Sequence, residues 1–325
     1  MSDSDPKFGV VVIGRNLGDR LERCLASVAG LGVPVVYVDS ASSDGSDVVA
    51  ERAKVSVVRL DPGQPMSASR GRNAGLDWLC ERHPDLRYVQ FVDGDCELRA
   101  GWLDVAAGVL EARPDVSVVC GKVREREPGR SLYAALLDLD WRGPSGEVRA
   151  CGGIFAARVE AVRAVGGFST ELPAGEEAEL CARLRARGGV ILRLDDHMCV
   201  HDAGIHSFWP WWKRNVRVGH TYARTATLTG ESADPRMRRR VASSIAWGAV
   251  LPLLGLAGLG VALVRPIALV VPALALVAFV VLAGRVGAGR RRVGDNPRES
   301  SLYGWSMPVT KMAHAMGCVK YWLRG

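Results

Sequence analysis

Paired cysteines are missing from this chain. Its eight cysteines, Cys24, Cys80, Cys96, Cys120, Cys151, Cys181, Cys199 and Cys318, include no C-x-x-C spacing. That excludes a zinc knuckle or a disulfide framework and reads as reduced, buried thiols. Acids are scarce in one region only. From Glu231 onward there are 13 Lys+Arg against 4 Asp+Glu, whereas residues 1–230 carry 29 against 31. The basic excess therefore sits in the last third, away from the strand-and-helix patterning, and this argues against a nucleic-acid binder. The start, Met1 to Lys7, is polar and acidic and lacks the apolar core of a signal peptide, so the folded portion is expected to stay inside the cell.

Charge is absent from Val241 to Val264 and, beyond Arg265-Pro266, from Ile267 to Gly284, runs of 24 and 18 residues. Each is long enough for a helical crossing of a bilayer core. Arg236, Arg238, Arg239 and Arg240 precede the pair, and Arg285, Arg290, Arg291 and Arg292 follow it. Basic clusters on both outer flanks predict a hairpin with both ends in the cytoplasm, at the inner membrane. Pro252, Pro266 and Pro272 keep a shallow hairpin in one leaflet open as an alternative, and a buried hairpin of a soluble protein is the other. Thr310 to Leu323 places Met312, Met316, Val319 and Leu323 on one helical face. It reads as an amphipathic helix at a membrane surface, although docking on the protein would give the same period. The predicted organisation is a catalytic domain over 1–230, a basic linker over 231–240, a membrane hairpin over 241–284 and a basic tail over 285–325.

Residues 8–110 alternate between strand-like and helix-like segments. Gly9–Ile13, Val33–Val38, Val55–Leu60 and Tyr88–Val92 are apolar, β-branched runs, and helical spacing over 20–29, 47–54 and 67–80 separates them. Such alternation predicts a parallel sheet with right-handed crossovers, whose ligands bind beyond the carboxyl ends of the strands. Asn16, Asp39 and the triplet Asp93-Gly94-Asp95 all fall there. Two carboxylates one residue apart at a strand end offer hard ligands to a divalent cation holding a diphosphate. Further on, Cys151–Phe155 predicts a strand entered through a glycine hinge, and Glu176–Arg187 a helix stopped by Gly188-Gly189.

In order, these motifs resemble the family 2 glycosyltransferases over roughly residues 8–225. That resemblance implies the GT-A fold, an α/β architecture with a Rossmann-like mixed sheet flanked by helices, here followed by the transmembrane hairpin and amphipathic tail. The stretch Val38-Asp39-Ser40-Ala41-Ser42-Ser43-Asp44 looks like the family's nucleotide loop, which implies Asp39 at the base and Asp44 near it, with Asn16 also on the nucleotide side. Arg70-Gly71-Arg72-Asn73-Ala74-Gly75 resembles the Arg-Asn-x-Gly element and implies that Arg72 reaches the nucleotide. The acid triplet implies Asp93 near the ribose and Asp95 on the cation. Gly152-Gly153 resembles a segment where backbone approaches the diphosphate or sugar. Gly175-Glu176-Glu177-Ala178-Glu179-Leu180-Cys181-Ala182-Arg183 occupies the place of the family's base motif. The usual aspartate is replaced by Glu177, with Glu176 the alternative. His201 resembles a histidine that closes such sites, sometimes as a metal ligand. The Gln-x-x-Arg-Trp of processive synthases is absent, which implies transfer of one sugar or few.

The resemblance thus implies an inverting transferase using Mg or Mn and a UDP-sugar, with a lipid-linked or polysaccharide acceptor at the membrane. Two other classes compete. A nucleotidyltransferase would also use strand-end acids, but Gly14-Arg15-Asn16-Leu17-Gly18 is a poor triphosphate loop. A non-catalytic membrane scaffold with a degenerate transferase domain would tolerate the glutamate in the base motif.

Overall fold

The computed structural model describes residues 7–172, 175–228, 230–232 and 234–324. The acidic start read above as leaderless lies, up to residue 6, outside the described residues. Two compact units make up the chain. One comprises residues up to Glu127 with Pro144–Gly204, the other Pro128–Gly143 with Ile205 onward.

In the first unit, β1 (Phe8–Gly14) is buried along its length except at the last residue, as a strand covered on both faces must be. Next comes α1 (Asp19–Ala29), which buries Leu21, Cys24, Leu25 and Val28, one stripe at helical spacing. Then follow β2 (Val35–Asp39), α2 (Ser46–Arg52), β3 (Ser56–Arg59), α3 (Ala68–Arg82) and β4 (Tyr88–Asp93). Strands β3, β2, β1 and β4 lie parallel in that order. This half follows the alternation seen in the sequence.

The second half of the sheet is mixed. It is built from β5 (Cys96–Leu98), α4 (Trp102–Ala112) and β6 (Val116–Glu125) and, after α5 (Leu132–Trp141) of the other unit, from β7 (Gly146–Glu147) and β8 (Phe155–Arg158). The short α6 (Val159–Ala164), α7 (Glu176–Ala186) and β9 (Val190–His201) complete it. The full order is β3-β2-β1-β4-β8-β6-β9-β5, with β7 beside β9. The predicted strand over Cys151–Phe155 is corrected: β8 begins only at Phe155, and residues 151–154 form the loop before it.

The second unit is helical. It comprises α5, α8 (Phe208–Thr225), α9 (Pro235–Ile245), α10 (Leu251–Ala262), α11 (Val270–Arg292) and α12 (Pro297–Arg324). A π-helical turn at Ala246–Val250 joins α9 to α10, and a 3-10 turn at Pro266–Leu269 leads into α11. Two continuous helices result, Pro235–Ala262 and Pro266–Arg292, whose most apolar 18-residue windows have mean hydropathies of 1.9 and 2.8. Both are long and apolar enough to cross a membrane, and only 11% of each apolar window is buried by protein. Leu253, Leu256, Leu263, Ile267, Leu274 and Leu276 are all exposed. Helix α12 packs against α8 and α11. Its buried face is made of small groups such as Ala313, Ala315 and Cys318, while Met316, Val319 and Leu323 stay exposed.

Candidate active site

Strand register assembles the site. Asp39, last in β2, pairs with Gly14 of β1, and Ile13 pairs with Asp93, last in β4. Two carboxylates thus stand on either side of β1 at the same end of the sheet, about 10 Å apart by strand spacing. A second row runs across β6, β9 and β5, where Glu125 pairs with His201 and His201 with Cys96. Asp95 immediately precedes Cys96, so it meets His201 without any long reach.

Arg72 forms the centre of the first cluster. It projects from α3, whose first turn is capped by the Ser67 hydroxyl accepting from the Arg70 amide. The residue is 2% exposed, and its guanidinium donates to Glu176 Oε1 at 2.5 Å, Asp93 Oδ1 at 2.7 Å and the Gly153 carbonyl at 3.3 Å. The Phe168 ring lies 5.5 Å beneath it. A side chain at Gly153 would place Cβ 2.6 Å from Asp93 Oδ2 and 2.7 Å from Arg72 Nη2. Gly153 is therefore required by the Arg72–Asp93 pair itself, and Gly152 precedes it in the same loop.

Glu176 and Glu177 open α7, where the helix dipole favours acids. Their environments differ. Glu176 is buried and held by Arg72, whereas Glu177 is half-buried and its carboxyl is pushed up to about 7. Burial is the main cause, the Glu176 charge adds to it, and Arg72 opposes it. Neighbouring carboxyls with such separated environments suit a proton acceptor working near neutrality.

The second cluster joins Asp95, His201 and Glu125. His201 Nε2 lies 3.7 Å from Asp95 Oδ2, and its Nδ1 is bonded to Glu125 Oε1 at 2.5 Å. Burial raises the Asp95 carboxyl, and Asp93 adds to that shift while His201 counters it. Burial alone would lower His201, but the Glu125 bond and the charges of Asp95, Glu125 and Asp93 outweigh it and raise the imidazole. Three carboxylates around one imidazole make a partly buried, electronegative spot. Asp95, Cys96 and His201 bring their ligand atoms within 4.8 Å of one another. The Asp95 carboxylate is a donor that Mg and Mn take, and the His201 imidazole one that the less hard divalent ions add, so the residues fit a divalent cation. Glu125 orients the histidine from behind.

Residues of the nucleotide loop hold each other. Asp39 accepts from the Tyr37 hydroxyl at 3.0 Å and the Ser42 amide at 2.9 Å. Asp44 is occupied in closing the loop, accepting from the Gly18 amide at 3.0 Å and the Ser46 hydroxyl at 2.6 Å. Asn16, exposed, accepts from the Ser43 amide at 2.8 Å. The structure therefore brings Arg72, Asp93, Gly153 and Glu176 into direct contact, with Glu177 beside them, and pairs Asp95 with His201. Asn16, Asp39 and Asp44 form a separate loop cluster at the same sheet end. Sequence reasoning missed Glu125 and the Arg72–Glu176 pair. Glu125 was findable, because it ends a strand on an acid just as Asp39 does.

Residues 9–162 match the family model described as Glycosyl transferase family 2. The pre-mycofactocin glycosyltransferase of Mycobacterium tuberculosis (strain CDC 1551 / Oshkosh) is 29% identical over 238 residues, which is 70% of this chain and 49% of that protein. The protein of the same description from strain H37Rv gives the same figures. The chain thus spans about half the length of these curated relatives. Among solved structures, a mannosyltransferase from Pyrobaculum calidifontis in complex with GDP-Man and Mn2+ superimposes with a TM-score of 0.59 at 18% identity, covering 99% of this chain and 89% of that one. S. aureus TarS 1–349 in complex with UDP gives 0.50 at 16% identity, covering 93% and 90%. At such identities these likenesses establish the fold.

Proposed function

We propose that the chain, whose residues 9–162 match the glycosyl transferase family 2 model and whose first unit carries the GT-A fold, is an inverting, metal-dependent glycosyltransferase acting at a membrane. The observation that carries this reading is Glu177, a half-buried carboxyl pushed up to about 7 beside the Arg72–Asp93 pair. In its ionised form Glu177 takes the proton from an acceptor hydroxyl as that oxygen attacks the anomeric carbon. Glu176 is the weaker base candidate, because Arg72 already engages it.

Asp95 and His201 would hold a divalent cation, which when bound offsets the charge developing on the departing diphosphate. Asp93, Asp39, Asn16 and the Gly152-Gly153 loop face the nucleotide side. The relatives solved with GDP-Man or UDP make a nucleoside diphosphate sugar the first donor class to test, with UDP-sugars the preferred choice. The two apolar helices and their arginine flanks favour the cytoplasmic face of the inner membrane and a lipid-linked or envelope glycan acceptor.

A panel of sugar nucleotides with Mg or Mn, read by thermal shift and by product analysis, tests the proposal. A single donor should stabilise the full chain by mass action and release its nucleoside diphosphate. Release of pyrophosphate instead would reassign the site to nucleotidyl transfer.

A further inference from the structure

The helical unit gathers cations that its own acids do not neutralise. Arg240, Ser244 and Gly248 recur every four residues along Pro235–Ala262 and so share one face. That face meets α12. A side chain at Gly248 would strike the Lys311 backbone, and one at Gly219 of α8 would strike that of His314. Helices α8, α9 and α12 therefore meet at Tyr222, Arg240, Lys311 and His314.

Tyr222 sits between Arg240 and His314. The Arg240 guanidinium lies 5.1 Å above its ring and donates to its hydroxyl at 3.0 Å, and the His314 ring stands edge-on to it at 5.2 Å. His314 is 7% exposed, and its Nδ1 is buried with no hydrogen-bond partner among the described residues. Burial lowers Lys311, and Arg240 lowers it further, with Cys318 acting the other way. Burial, then Lys311, Arg240 and Arg214, hold His314 down at about 3, so it is neutral. The nearby acid is spoken for: Asp140 accepts from Arg214 at 3.2 Å and from the Tyr303 hydroxyl at 2.8 Å. Among the described residues no carboxylate pairs with Arg240, Lys311 or His314.

We propose that Arg240, Lys311 and His314, grouped around Tyr222, form a binding site for a phosphate group at the start of the apolar hairpin. Arg240 on one helix and Lys311 and His314 on another bring three nitrogen groups close enough for their charges to act on one another. A phosphate can answer them with three oxygens and up to two charges, whereas a carboxylate has two oxygens and one charge. The site is open at Arg240, which is exposed, and closed at His314. Arg240 is also the last charged residue before the uncharged run begins at Val241. That depth suits a lipid headgroup, although dissolved phosphate offers the same oxygens. The inference goes beyond sugar transfer. Only its lipid arm depends on the membrane reading.

The test uses the full chain in nanodiscs of phosphatidylcholine alone, of phosphatidylcholine carrying phosphatidic acid, or of phosphatidylcholine with inorganic phosphate added against chloride of equal ionic strength. No sugar nucleotide is present, so failure of the transferase reading would leave the outcome untouched. Lys311→Met and His314→Gln should each retain about tenfold less phosphatidic acid by native mass spectrometry. Arg52→Gln/Arg99→Gln, which removes exposed charge from the first unit, should retain as much as wild type. In phosphatidylcholine alone, Lys311→Met should melt higher than wild type, because it removes a part-buried cation facing another. That gain separates a lost site from a misfolded protein. Stabilisation of wild type over Lys311→Met by inorganic phosphate, with nothing added by phosphatidic acid, would keep the site and assign it to the dissolved ion. Equal retention in wild type and both site variants, or an equal loss in the Arg52/Arg99 control, would overturn the proposal.

Discussion

Replacing Arg72 by methionine should be among the most damaging single changes in the first unit. Methionine retains most of the volume, so the cost is electrostatic rather than a cavity. It leaves Glu176, whose side chain is 8% exposed, without the guanidinium that now lies 2.5 Å away. Removing one partner of a buried pair costs about 3–5 kcal/mol, because the survivor keeps its desolvation penalty. The Asp93 contact adds little, about 1 kcal/mol at most, since that carboxylate is 34% exposed and screened by water. For a domain of this size the loss corresponds to roughly 6–20 °C in Tm. The Arg72→Met/Glu176→Gln double variant should recover about 2 kcal/mol or more, because no buried charge is then stranded. Thermal unfolding of wild type, both single variants and the double variant, followed by tryptophan fluorescence at one pH, measures the cycle. A loss under about 1 kcal/mol for Arg72→Met, or simple additivity in the double variant, would refute the assigned network.

Other outcomes follow from the same geometry. With its folded value near 7 against an ordinary 4.5, Glu177 is protonated in the folded protein at pH 6, so kcat/KM should rise through about pH 7 and then level off. The stability term has the opposite sign: it is fully present below pH 4.5 and lost as pH rises through 7, so Glu177→Gln should gain stability over wild type at pH 8 and not at pH 4. Glu125→Gln should weaken Mn binding by roughly 10–100-fold in calorimetry while the fold survives, because it unfixes His201. Gly153→Ala forces a Cβ onto Asp93 and Arg72, so turnover should drop by about tenfold or more with circular dichroism unchanged. The hairpin predicts that the full chain resists carbonate extraction from membranes, and that deleting 241–284 releases it.

How legible was this in the sequence? The parallel half of the sheet is readable because β1, β2 and β4 are apolar runs buried along most of their length, β3 keeps the pair Val57-Val58 at the sheet edge, and α1 repeats at helical period. The mixed half is not. Strand β9 is interrupted by Asp195, Asp196 and His197, which are exposed, so its twelve residues lack a clean apolar signature. The expected strand at Cys151–Phe155 starts too early for a related reason, since Gly152-Gly153 reads as an entry hinge. The residues instead serve the Arg72–Asp93 contact, which no local pattern announces. Asp39, Asp93 and Asp95 stand out in the sequence because they close or follow apolar strands. Glu125 obeys the same rule but stands in the charged run Arg124-Glu125-Arg126-Glu127, where no single acid stands out. The Arg72–Glu176 pair, 104 residues apart, needs the tertiary fold to become visible.

The central claim is that Glu177 accepts the acceptor's proton at a site where Asp95 helps to hold the donor. Its most direct measurement compares wild type with Glu177→Gln for two quantities on one sugar nucleotide, donor affinity and nucleoside diphosphate release. The account predicts donor affinity within about threefold of wild type and release slowed by about 100-fold or more, which are the values expected when a base is lost but binding is kept. Release at the wild-type rate with donor binding intact would contradict it.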